Sequence, residues 1–171
     1  MMARSSWSRA EKPPFEIGEI PDDQAVEYLT KKGIREDEAK VTVANLTGGL
    51  FVSLNDFASS SLEGMTYEQL VEQRDSALAK KLRRLKVAPD HAMFQQLVKC
   101  KSVRTGDDLG MAESQLDLLL LNNILAAHPN ETYTFHDRHT ATWFSREVKK
   151  CEAIAEQREN EKKKAAWWPG R

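Results

Sequence analysis

Residues 112–144 read AESQLDLLLLNNILAAHPNETYTFHDRHTATWF, and this stretch decides the fold class. From Glu113 to about Ala127 the chain is apolar nearly all round at its centre, which predicts a deeply packed helix. His128-Pro129-Asn130-Glu131 predicts a turn. Thr132-Tyr133-Thr134-Phe135-His136 then alternates polar and apolar residues with the period of a half-buried strand. Asp137 is placed to cap a final helix that carries Trp143, Phe144 and Val148 inward. A helix, a short strand and a second helix in this order predict a mainly α protein with a small β wing.

Upstream, the same period arguments give more helices. Phe15 to Ile20 alternates and predicts a short strand with no obvious partner. Pro21-Asp22-Asp23 opens a helix, with acids at its positive end and Ala25, Val26 and Leu29 on its buried face. Gly33 followed by Ile34 is the signature of a glycine stop with an apolar contact just beyond. A second helix is expected from about Arg35 to Thr47, with Ala39, Val43 and Leu46 on one stripe, ended by Gly48-Gly49. Leu50, Phe51, Leu54 and Phe57 predict a short third helix before a loose Ser59-Ser60-Ser61 stretch. Thr66-Tyr67-Glu68 opens a longer one, with Leu70, Val71, Leu78, Leu82 and Leu85 inward, and Pro89 interrupts the pattern. A further helix, from about Asp90 to Lys101, buries Met93, Phe94, Leu97 and Val98.

The 171 residues are 40% apolar and 30% charged, a globular profile with room for a real core. The net charge of −1 hides an uneven distribution. Gly64 to Arg104 holds nine basic and four acidic residues, whereas Thr105 to Thr140 holds six acidic and one basic. Two cysteines, Cys100 and Cys151, make no disulfide framework and no metal-ligand spacing, so an intracellular site, cytoplasmic or nuclear, is expected. The longest apolar run, Leu118 to Leu121, is far too short to cross a membrane.

No catalytic residues emerge. The chain has no G-x-x-x-x-G-K-[ST], and Gly48-Gly49 follows a helix, whereas a phosphate loop follows a strand and opens a helix. His136-x-x-His139 offers two imidazoles without a third or fourth ligand, and reads as one wing residue and one helix-surface residue rather than a metal site. Ser145, Asp137 and His139 supply the letters of a hydrolase triad without a nucleophile elbow. Lys80, Lys81, Arg83 and Arg84 form a basic cluster that suits nuclear import or a nucleic-acid backbone, set within the period of an amphipathic helix.

The ordered set IPDDQAVEYLTKKGI, REDEAKVTVANLTGG, LFVSL resembles the helical lid that follows the nucleotide-binding core in AAA-like and STAND-type P-loop ATPases. Gln115 to Val148 is similar to a winged-helix module, and the pairing with an upstream Thr-Gly-Gly lid resembles ATPase-derived proteins of the Crinkler and retrotransposon-hot-spot type. The resemblance implies a leader over 1–14, a lid-like helical subdomain over 15–63, a helical and winged-helix-like module over 64–155 and a charged tail over 156–171. It places Thr47, Gly48 and Gly49 in a lid turn beside a nucleotide's base, although Leu50 and Phe51 follow where such turns carry proline. It implies a non-catalytic interaction or regulatory module, either a fragment of a longer ATPase or a degenerate relative. Its partner would be an ATPase core or a host factor, and ATP would enter only in a full-length relative. The alternative is a nucleic-acid binder that uses the basic 80–104 surface without sequence specificity. The helix from Glu113 carries Glu113 and Asp117 and no Lys or Arg, so a phosphate backbone would repel it.

Overall fold

A computed structural model describes residues 19–104, 107 and 110–166. Most of the strand expected over 15–20, the leader and the Trp167-Trp168 end lie outside the described residues. Helix α1 (Asp22–Lys31) begins directly after Pro21 and buries Ala25 and Leu29. It ends as the sequence demands: Gly33 adopts φ +92°, Gly33 N–H donates to Thr30 O, and Ile34 N–H reaches back to Leu29 O. The left-handed glycine lets both orphan carbonyls be satisfied while Ile34 turns into the core. Helix α2 (Glu36–Thr42) continues into a wide turn with π geometry over Val43–Thr47, so Ala39, Val43 and Leu46 face inward as expected.

Helix α3 (Phe51–Leu62) runs straight through Ser59-Ser60-Ser61 instead of loosening there. Serine is a weak helix former, but Leu54, Phe57 and Ala58 are fully packed on one face and hold the turn that follows them. Helix α4 (Tyr67–Leu85) opens with a reciprocal cap in which Thr66 Oγ accepts from Gln69 N–H and Gln69 Oε1 accepts from Thr66 N–H. Helix α5 (Ala92–Cys100) leads into strand β1 (Val103–Arg104).

The Leu-rich stretch departs most from expectation. Helix α6 (Glu113–Leu121) stops six residues short of Ala127, and of its leucines only Leu119 is fully buried. Asn123 takes φ +53°, a left-handed conformation that asparagine tolerates, and Ile124 N–H closes the end onto Leu119 O. The chain then forms strand β2 (Leu125–His128), which turns at 129–131 into strand β3 (Thr132–Phe135). The sheet is antiparallel with order β1-β3-β2, in register Leu125 to Phe135 and Val103 to Tyr133. Helix α7 (Arg138–Ala166) follows, and Asp137 Oδ1 caps it by accepting from Thr140 N–H at 2.7 Å. The protein is therefore mainly helical with a short three-stranded β wing.

Two apolar cores result among the described residues. The first gathers Ala25, Leu29, Ile34, Leu46, Leu54, Phe57 and their neighbours up to Leu70. The second runs from Leu78 to Phe144 and joins α5, α6, the sheet and the start of α7. Helix α4 serves both, with Leu70 in one and Leu78 and Leu82 in the other. No helix among the described residues is long and apolar enough to cross a membrane.

Candidate functional site

Where α4 passes from one core to the other, its inward stripe carries a carboxylate. Asp75 sits four residues after Val71 and three before Leu78, so it faces the same way as both. Asp75 Oδ1 accepts from His139 Nε2 at 2.9 Å, and Arg146 Nη2 lies 2.8 and 2.9 Å from its two oxygens. His139 and Arg146 are two turns apart on α7, which brings both to one face. Because an ionised carboxylate only accepts, Nε2 of His139 carries the proton. A third residue of α7, Arg138, reaches the other way. Its guanidinium lies 3.5 Å from Glu19 Oε2 and 3.4 Å from Asp22 Oδ1.

Burial disfavours the imidazolium and lowers the His139 pKa from 6.5; Arg74 adds to the fall, while the Asp75 hydrogen bond and the Asp137 and Asp75 charges oppose it. An unfolded chain therefore binds this proton more readily, so stability declines as pH falls through about 6.5. Burial also raises Tyr67, against the Arg146 charge and a hydrogen bond with Asn45. For Asp137, burial opposes ionisation, yet the nearby His136 imidazole, hydrogen bonds from Thr140 and the His139 charge outweigh it and hold the carboxyl at about 2, below its ordinary 3.8. That difference stabilises the fold by about 2 kcal/mol above pH 4 and is lost as pH falls toward 2. Asp137→Ala is expected to cost about 1–2 kcal/mol at pH 7 and much less at pH 2.5, measured by urea unfolding at both pH values.

Thr47, Gly48 and Gly49 form a turn that the chain itself fills. Gly49 N–H donates to Glu19 Oε2 at 3.1 Å, and Gly49 O accepts from Ile20 N–H at 3.1 Å. Ile20, the end of the alternating segment, thus finds its partner in this turn. Thr47 is buried, with its hydroxyl 3.5 Å from Thr42 O. The turn therefore grips a carboxylate through a backbone N–H, with Arg138 beside the same oxygen. No known protein family, curated protein or solved structure matches the chain.

The other sequence candidates scatter. Lys80, Lys81, Arg83 and Arg84 are all exposed on α4, where Lys81 Nζ donates to Asn122 O at the end of α6. His139 is buried rather than a helix-surface residue, because its position on α7 points at α4 and not at solvent. His136 stays half-exposed with Nδ1 3.7 Å from Asp137 Oδ2. Among the described residues no group of three or more His, Cys, Asp or Glu side chains is arranged to hold a metal. Asp137 and His139 face different partners, Thr140 N–H and Asp75, and Ser145 lies six residues after His139, well round the helix from it. Cys100 and Cys151 are free thiols.

Asp75, Arg138, Arg146 and Glu19 escaped the sequence reading. One signal was present. Asp75 is a charge inside the apolar stripe Val71, Leu78, Leu82, and a charge in that place requires a buried partner.

Proposed function

We propose that this chain is a non-catalytic interaction or regulatory module, built like the lid and winged-helix-like C-terminal part of a STAND or AAA-like P-loop ATPase. The observation that carries the reading is the outward stripe of α6. Ser114, Asp117, Leu118 and Leu121 recur at helical spacing and all face solvent, with Leu118 at 42% and Leu121 at 72% exposure. This helix immediately precedes the β2–β3 hairpin, the place from which a winged-helix-like module presents a helix to its partner. An acid beside two exposed leucines, with no Lys or Arg, suits a protein surface and repels nucleic-acid phosphate. The filled Gly48-Gly49 turn fits the same reading, because a self-filled turn holds the lid closed without a nucleotide.

Leu118→Asp with Leu121→Asp is expected to change thermal stability little, since both side chains are exposed and neither belongs to a core, and to weaken partner binding at least tenfold. A photo-reactive amino acid at position 121 should crosslink in cells to a discrete protein, whereas the same group at Glu72 on α4 should not. Equal labelling from both positions, or none from position 121, would reject the reading.

A second reading is favoured by the ridge on α4, where the Lys80, Arg83 and Arg84 side chains project from the exposed face without carboxylate partners among the described residues. That ridge would bind nucleic acid non-specifically. The quadruple Glu variant of Lys80, Lys81, Arg83 and Arg84 would then abolish a salt-dependent gel shift that the Leu118 and Leu121 changes leave intact.

A further inference from the structure

Among the described residues the two cores share no buried side chain, so what joins these residues is not a common apolar interior. Helix α4 runs through both as a single rod, and α7 lies across the boundary against α4 and the wide turn over Val43–Thr47. The named polar bridges across that boundary all spring from α7. Arg138 reaches Glu19 and Asp22, while His139 and Arg146 converge on Asp75. One carboxylate, placed on α4 between Leu70 of the first core and Leu78 of the second, thus holds two α7 side chains separated by two turns.

We propose that Asp75 is a latch that closes the N-terminal helical unit onto the wing-bearing unit, and that α4 bends between Leu70 and Leu78, letting the two part, when the latch is released. The chemistry favours release as a discrete event. His139 is 6% exposed and has its Nε2 proton directed at Asp75, so loss of the carboxylate leaves a buried donor unsatisfied. Arg146, at 44% side-chain exposure, can turn to water instead. Each core keeps its own buried aromatic and aliphatic side chains throughout, so separation at the seam does not require either to unfold. The Arg138 pairs, both 3.4 Å or longer and partly exposed, add a salt-sensitive second contact on the same edge.

The test uses the full chain with Cys100 and Cys151 replaced by serine and spin labels at Asp56→Cys on α3 and Glu156→Cys on α7. Asp75→Asn, which keeps the shape and one acceptor oxygen for His139 but removes the charge that pairs Arg146, is expected to broaden the distance distribution between the labels. Amide exchange over 43–47 and 138–146 should accelerate at least tenfold, with protection of Leu54 and Leu97 unchanged. Sodium chloride at high concentration should move the parent protein in the same direction, to a smaller extent. Arg146→Gln, at the seam's exposed edge, gives the same readout should Asp75→Asn fold poorly. A distance distribution unchanged in both variants overturns the latch. So does loss of protection in both cores together, since the seam would then belong to one cooperative unit.

Discussion

Phe144→Ala is expected to lower the unfolding free energy by about 3–5 kcal/mol, the range for deleting a fully buried phenylalanine. Phe144 is 0% exposed and stands where α5, β3 and α7 meet. Its ring centroid is 4.1 Å from Phe94, 4.9 Å from Phe135 and 5.0 Å from Trp143. The Trp143 contact is edge-to-face and the Phe135 contact stacked, so the four rings fit as a set rather than as interchangeable bulk. Three different elements would have to move to refill the gap, and one of them, β3, is fixed by the hairpin register with β2. Since domains of this size are stable by only about 5–15 kcal/mol, the second core should approach its unfolding threshold. Urea unfolding followed by tryptophan fluorescence measures the change. Phe144→Leu, which leaves a smaller cavity, should cost less than half as much, and equal costs would mean that the ring contacts rather than the volume filled carry the stability.

Gly49→Ala should have the next largest effect, at about 1–3 kcal/mol, and through a different cause. A Cβ at Gly49 would lie 1.9 Å from Ile20 O and 2.8 Å from Ile20 N. Both are backbone atoms, so no side-chain rotation relieves the overlap. The 19–20 segment must therefore leave the turn, which breaks the Ile20 N–H bond to Gly49 O and the Gly49 N–H bond to Glu19. Gly48→Ala acts through a different cause. There the nearest obstacle is the Glu19 carboxylate at 2.8 Å, the far end of a flexible side chain, and the cost is backbone strain, since φ +55° with ψ −149° lies close to a glycine-only region and strains any other residue by about 1–3 kcal/mol. Amide exchange at Ile20 separates the two variants, because it should accelerate in Gly49→Ala and far less in Gly48→Ala, and urea midpoints measure both costs.

The features that were legible in the sequence are local ones. Gly33-Ile34 encodes its own stop, and Asp137 its own cap, because each needs only a neighbour within a few residues. The alternation of Thr132 to Phe135 shows a strand because one face of β3 is buried, with Tyr133 inward. The end of α6 was harder to see. Leu116 to Leu125 is apolar enough to be helix or strand, and Ala126-Ala127 has no period of its own. The deciding mark is Asn122-Asn123, where the second asparagine takes the left-handed turn that frees Leu125 to pair with Phe135. The serines of α3 mislead for the opposite reason, since local propensity yields there to the packing of Phe57 and Ala58. At the seam, the misplaced charge of Asp75 is visible but its partners are not. His139 lies 64 residues further on and Arg146 lies 71, and no spacing rule connects them before the chain is folded.

One consequence follows from the length of α7. Every described side chain from Glu152 to Lys163 is exposed, so the second half of this helix is a rod that packs against none of the described residues. From Glu152 to Ala166 the rod spans about 22 Å at the usual rise per residue. Its base is the same helix whose first turns clasp Asp75, Glu19 and Asp22. The clasp residues Arg138 to Arg146 lie about 30–42 Å from Ala166, so a tilt of about 15° there would sweep the far end through about 8–11 Å relative to the first core. A change of contact at three side chains is thereby converted into a displacement comparable with the width of a helix, delivered at the far end of α7.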